Sequence, residues 1–176
     1  MLYTPAKSAA ASSSREYSLA FEIGPPSSSR PGRPFTIPVI VSVRPVSSPV
    51  GSPAQQLVVH ASLRNENHSP ASARLTGTLT SSVRSRHGNT AAGYAKFSPL
   101  CIGQAGRYRI QVMLAAASDG GVTTKEYVDS GVVHVHSEAE WVQRLLPAQE
   151  SRLRRLTAEN IDISVADIVA MQNAAR

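Results

Sequence analysis

Apolar and polar residues alternate through most of the chain up to about residue 136. In "EYSLAFEI", Tyr17, Leu19, Phe21 and Ile23 oppose Ser18, Ala20 and Glu22, the period of a half-buried strand. "QLVVHASL" repeats it, with Leu57, Val59, Ala61 and Leu63 on one face and His60 opposite. "RLTGTLTSSV" puts Leu75, Leu79 and Val83 on one face. "FTIPVIVSVRP" is β-rich, and Pro38 restricts it to a sheet edge or a strand start. In "GRYRIQVML", Tyr108, Ile110, Val112 and Leu114 face away from Arg107, Arg109, Gln111 and Met113. Gly103 to Gly106 precede that strand and predict a hairpin with "YAKFSPL". "SDGG" is a second turn signal, leading into "VTTKEYVDSGVVHVH". Residues 24–34, "GPPSSSRPGRP", are predicted to be irregular throughout.

From residue 137 the period changes. "SEAEWVQRLL" predicts a short helix, with Ser137 as N-cap, Glu140 at capping-box spacing and Pro147 as the stop. "ESRLRRLTAEN" places Leu153 and Leu156 on one helical face, with Asn160 as its end. "IDISV" is predicted to be extended and "VADIVAMQNAAR" to form a terminal helix. Seven or so short strands followed by a helical tail predict an all-β sandwich or barrel with peripheral helices. Residues 1–15 are small and polar and are predicted to be disordered. The predicted organisation is one β-sandwich domain over 16–164, flanked by that segment and by a helical tail over 165–176.

A length of 176 residues suits one domain. Only 5% of residues are aromatic, so the core must be built from Val, Leu, Ile and Ala. No apolar run approaches the ~20 residues of a membrane span. No apolar block follows Lys7, so no secretory leader and an intracellular setting are expected. The one cysteine, Cys101, excludes an internal disulfide and is expected to be a small buried hydrophobe. Residues 1–120 carry 12 basic and 4 acidic side chains, while residues 121–176 carry 6 and 8. A basic body suits a polyanion partner such as DNA.

Catalytic signatures are missing from this pattern. There is no nucleophile elbow, P-loop or dinucleotide fingerprint, so neither an enzyme nor a cofactor is expected. His134 and His136 of "HVH" share a strand face, but nothing in the spacing selects a third metal ligand. They are expected to be exposed strand-face histidines, with no metal bound.

Three segments read together as a resemblance. Ala61-Ser62-Leu63 ends a strand. Leu75, Thr76, Gly77, Ser81 and Ser82 follow a Leu-Thr-Gly-x-x-x-Ser-Ser pattern. Gly93, Tyr94, Phe97 and Leu100 follow Gly-aromatic-x-x-Phe-x-x-Leu, and Gly106, Tyr108, Arg109 and Ile110 a Gly-x-Tyr-Arg-Leu-like strand. Arg33, Pro34, Ile40 and Val41 match a further segment. In order and spacing, residues 17 to 164 resemble the velvet domain of fungal developmental regulators.

The resemblance implies an immunoglobulin-like, Rel-like β-sandwich. It implies DNA binding as a homo- or heterodimer with other velvet proteins. It also implies nuclear regulation of sporulation, development and secondary metabolism, with passage through the cytoplasm. The family's basic segment after the first strand is shortened here. Glu22 stands where a basic residue is expected, and Arg30 and Arg33 remain as the implied contacts. Arg84, Arg86 and His87, in the loop after "TLTSSV", are further candidates for DNA contact. The shortened segment also fits an alternative, a heterodimerisation module with little DNA binding of its own.

Overall fold

The computed structural model describes residues 16–46, 56–85 and 92–175. The segment predicted to be disordered, 1–15, lies outside them. The strands are β1 (Tyr17–Ile23), β2 (Ser28–Ser29), β3 (Val39–Pro45), β4 (Gln56–Asn65), β5 (Leu75–Gly77), β6 (Thr80–Ser82), β7 (Gly93–Phe97), β8 (Leu100–Ile102), β9 (Gly106–Ser118), β10 (Gly121–Asp129) and β11 (Val133–Val135). Two short helices follow, α1 (Pro147–Leu156) and α2 (Val165–Ala174). The fold is all-β with the helices at its periphery.

One sheet has the order β1-β3-β7; a larger one runs β2-β11-β9-β4-β6; β5 and β8 form a pair of their own. The two larger sheets face each other across a single core. Val39, Val41, Val43, Ala95 and Phe97 come from one side, and Leu57, Val59, Ile110, Val112 and Leu114 from the other. Leu57, Val59, Ile110, Val112 and Leu114 are positions that the alternation selects. β9 is the spine of the larger sheet. It pairs with β4 along one edge, and with β11 and then β10 along the other. Where β10 passes to β11, the Ser130 hydroxyl accepts from the Ile110 amide at 2.9 Å. Pro38 lies immediately before β3, which is the central strand of its sheet, so of its two predicted places it takes the strand start.

Several predicted features differ from the structure. The expected hairpin over 92–114 does not form: β7 pairs with β3, β8 with β5, and β9 with β4, β10 and β11. The chain uses this stretch to cross between sheets. "RLTGTLTSSV" is likewise two strands, β5 and β6, in different sheets. The break falls at Gly77, whose φ of 113° suits glycine, and where a Cβ would collide with the Pro99 carbonyl. Residues 24–34 contain one regular element, β2, paired in parallel with β11. Ile23 leaves the face of Tyr17, Leu19 and Phe21, because a bulge at Glu22 shifts the register and sets it opposite Ile40. Cys101 is half-buried, so it is not a fully buried hydrophobe.

That bulge seeds a second apolar cluster on the outer side of β1 and β3. Ile23, Ile37 and Ile40 meet Leu153 and Leu156 of α1, Ile161 and Ile163 of the connecting turn, and Ile168 of α2. Arg152 donates to the Glu22 carbonyl at 2.9 Å, occupying the acceptor at the bulge. The "IDISV" segment is a turn, with Asn160 and Asp162 at positive φ, and no strand. α1 begins where a stop was expected. Pro147 occupies its first turn, where a missing N–H costs nothing, and Gln149 accepts from the Leu146 amide at 2.9 Å. The predicted helix over 137–146 is therefore absent, replaced by the irregular segment described below.

Two predictions follow from this packing. Leu153 is fully buried, so Leu153→Ala should cost about 2–5 kcal/mol in urea unfolding. The second concerns the α2 cap, where the Ser164 backbone N–H and hydroxyl both bond the Asp167 carboxyl or its amide. The hydrogen bond from the Ser164 amide, then that with its side chain, lower the Asp167 pKa. A lowered folded pKa means the contribution is complete above the ordinary carboxylate range, about pH 4. It is lost as pH falls through the depressed value. The melting-temperature gap between wild type and Asp167→Asn should accordingly narrow on acidification; a gap that widens would contradict this assignment.

Candidate functional site

Residues 30–33 read Arg-Pro-Gly-Arg. Pro31 at the second position of a turn and Gly32 at the third, with φ of 75°, specify a type II turn. The closing bond runs from the Arg33 amide to the Arg30 carbonyl at 3.2 Å, and Gly32 and Phe35 donate to Ile102 and Leu100 of β8 at 2.9 and 2.8 Å. The turn sets its two arginines side by side at the β2 edge of the larger sheet. Both guanidiniums lie over the ring of Trp141, with carbon-to-centroid distances of 4.1 Å for Arg30 and 4.5 Å for Arg33. Arg30 Nε donates to the Ala139 carbonyl at 2.6 Å, and Arg33 Nε to the Trp141 carbonyl at 2.9 Å.

These bonds explain why 137–146 is not helical. Carbonyls that a helix would satisfy internally are taken by side chains from across the chain. Thr36 completes the attachment: its amide and hydroxyl donate to Gln143 Oε1, and the Gln143 amide donates to the Thr36 hydroxyl. The resulting face is an open recess of about 440 Å³ lined by Arg30, Pro31, Gly32, Arg33, Pro34, Ser137 and Trp141. Trp141 remains 56% exposed. The Nη groups of both arginines have no acceptor among the described residues. Glu138 and Glu140 are exposed on the same segment.

Arg84 stands elsewhere. β2 and β6 are the opposite ends of the larger sheet. The β2 register maps to Arg107 of β9 and the β6 register to Ala115. Four strand spacings and that run along β9 separate Arg84 from Arg30 by on the order of 30 Å. Arg86 and His87 lie outside the described residues. Around Arg84 is a different group of side chains. Its backbone exchanges two bonds of 2.8 Å with Tyr94. Arg44 donates to the Tyr94 hydroxyl at 3.0 Å with its guanidinium 5.7 Å from the ring centroid. Lys96, two residues along β7 on the same face, donates to the Asp162 carbonyl at 2.8 Å. Sequence reasoning did not select Arg44, Tyr94 or Lys96 for contact, although each stands next to a buried residue, Val43 or Ala95. It also passed over Trp141, whose signal was its isolation among charged residues.

His134 and His136 share a strand face, their rings 4.3 Å apart. Among the described residues no third His, Cys, Asp or Glu joins them in a metal-binding group. Arg109 donates to the Glu66 and Ser130 carbonyls at 2.8 and 3.0 Å, a structural role at the sheet rim. His68 meets Asp129 at 2.5 Å, and Asp129 accepts from Gln111, which accepts in turn from Arg64. That chain of bonds joins β4, β9 and β10. Among the described residues no helix is long and apolar enough to cross a membrane. No family model matches the chain, and no curated protein matches it.

Trp141 is the sole tryptophan, so its fluorescence reports the arginine stack directly. Arg30→Ala should expose the indole to acrylamide quenching and cost about 1–3 kcal/mol, from a charged hydrogen bond and an exposed cation–π contact. Unchanged quenching in both Arg30→Ala and Arg33→Ala would exclude the stack in solution.

Proposed function

We propose that this chain is a velvet-type transcriptional regulator, an immunoglobulin-like, Rel-like β-sandwich that binds DNA as a homo- or heterodimer in the nucleus. Its role would be in fungal development, sporulation and secondary metabolism, with no catalysis of its own. The observation that carries the reading is the Arg30–Trp141–Arg33 cluster. Its two planar forks are held in place by their Nε bonds and keep unpaired Nη donors. Such forks suit phosphate oxygens and guanine edges. The facing sheets and the basic body support the same reading, as do the velvet-like motifs on β4 through β9.

A second reading is favoured by the composition of the cluster. An exposed tryptophan between two arginines, beside Glu138 and Glu140, has the makeup of a protein-interaction hot spot more than of a continuous basic stripe. In that case the chain is a heterodimerisation module whose partner supplies most of the DNA contact.

Salt titration separates the two. With only ~2–4 phosphates neutralised, log K against log salt should have a slope of about −2 to −4 for the chain alone. Arg30→Lys/Arg33→Lys should retain much of the binding, because phosphate charge is still met, whereas Arg30→Ala/Arg33→Ala should lose it. DNA binding that survives the double alanine variant in a folded protein would sink the site. Binding absent at ~50 mM salt for the chain alone, yet present with a velvet partner, would establish the second reading.

A further inference from the structure

The outer face of the β1-β3-β7 sheet is divided. Toward Ile23 and Ile40 it is covered by α1 and α2. Toward the other end of β3 it carries Arg44, with Tyr94 and Lys96 at the margin of the covered part, and Arg84 joins them through its bridge to Tyr94. We propose that this face is a phosphate-binding surface, distinct from the Arg30–Trp141–Arg33 cluster and missed by sequence reasoning except for Arg84.

The surface is constructed on fixed backbone. Ser42 of β3 is in register with Tyr94, and Ile40 with Lys96, so Arg44, Tyr94 and Lys96 emerge on one side by the period of two. Arg84 is held beside them by its paired bonds to Tyr94, and close packing at Gly93 leaves no room for a Cβ against the Arg84 carbonyl. Arg84 and Lys96 line one recess of about 340 Å³ with Thr80, Ser81, Ser82, Ile161 and Asp162.

The charge balance favours an anion. Among the described residues, Arg44 bonds only to the Tyr94 hydroxyl and Arg84 has no acid partner. The acid in the recess is Asp162, whose carboxylate is 3.8 Å from Lys96 and whose side chain is 96% exposed. Lys96 is anchored mainly by the Asp162 carbonyl, so that carboxylate can turn away without releasing the lysine. The Arg84 guanidinium, the Lys96 ammonium and the hydroxyls of Thr80 to Ser82 in the recess, with the Arg44 guanidinium alongside at Tyr94 and without an acid partner among the described residues, are a donor set that phosphate oxygens take. A DNA backbone and a free phosphorylated small molecule present the same group, and only the first of these rests on the DNA reading above.

The test uses the full chain with two probes, inorganic pyrophosphate and a short DNA duplex, followed by amide chemical shifts and by titration. Pyrophosphate should shift the amides of residues 82–84 and 94–96. Arg44→Gln/Arg84→Gln should weaken it at least tenfold. Arg30→Gln/Arg33→Gln should leave the shifts at residues 82–84 and 94–96, and the affinity they report, unchanged. Asp162→Asn, which removes the competing acid, should strengthen it severalfold. Arg84→Gln alone repeats the measurement should loss of the Arg44–Tyr94 contact unfold the double variant. Duplex binding that depends on Arg44 and Arg84 without a pyrophosphate response identifies the DNA backbone as the source, and the reverse identifies a small phosphate compound. If neither probe responds to Arg44 and Arg84, the proposal is overturned. The DNA reading then still stands on whatever depends on Arg30 and Arg33.

Discussion

A three-stranded sheet that is apolar on its inner face and over part of its outer face must be covered twice, and that constraint organises this molecule. The inner face of β1-β3-β7 closes against the larger sheet. The outer face carries Ile40 from β3 and, by way of the Glu22 bulge, Ile23 from β1. Burying two isoleucines against protein is worth a few kcal/mol at ~25 cal/mol per Å². The helices supply the cover through Leu153 and Leu156 of α1 and Ile168 of α2, but are too short to stand alone. Their position is thus set by the sheet, and the part they leave open is where Arg44 emerges, with Tyr94 and Lys96 at its margin. Burial and the basic surface are two outcomes of one sheet face.

The arginine–tryptophan cluster has the opposite origin. It owes little to hydrophobic burial and depends on side chains satisfying a backbone that has no regular structure. Arg30, Arg33 and Thr36 together supply the donors for 139–143, and Gln143 returns the bond to Thr36. An arginine here does two things at once. Its Nε fixes the chain, while its Nη groups stay unpaired among the described residues. Lysine can replace the charge but not the division of labour.

Much of the strand pattern was legible in the sequence, because period two survives wherever one face is buried. Leu57 to Leu63 and Tyr108 to Leu114 occupy the inner faces that their spacing requires. What failed were changes of face and of sheet. A bulge adds a residue without a compositional mark, so Ile23 was placed with Tyr17. Crossing from β7 to β9 uses the same glycines that a hairpin would, and only strand pairing distinguishes them. Pro147 has two opposite meanings, stop and start, and the capping-box spacing at Ser137 favoured the wrong one. For the site, Arg30 and Arg33 could be read as neighbours from Pro31-Gly32. Their meeting with Trp141, more than a hundred residues away, could not. Nor could the separation of Arg84 from them, since it depends on the order of strands in the sheet.

The β10 strand has a use in this light. It is a long edge strand with exposed Val122 and Tyr127, bonded among the described strands to β9 alone. Its register slips between Thr124 and Glu126, and Lys125 turns to meet Glu16 at 2.8 Å. A neighbouring strand from another molecule could follow this edge for only a few residues before its hydrogen bonds fell out of step. The irregularity works as a guard on the open side of the sheet, directing association to side-chain surfaces and away from indefinite strand-by-strand growth.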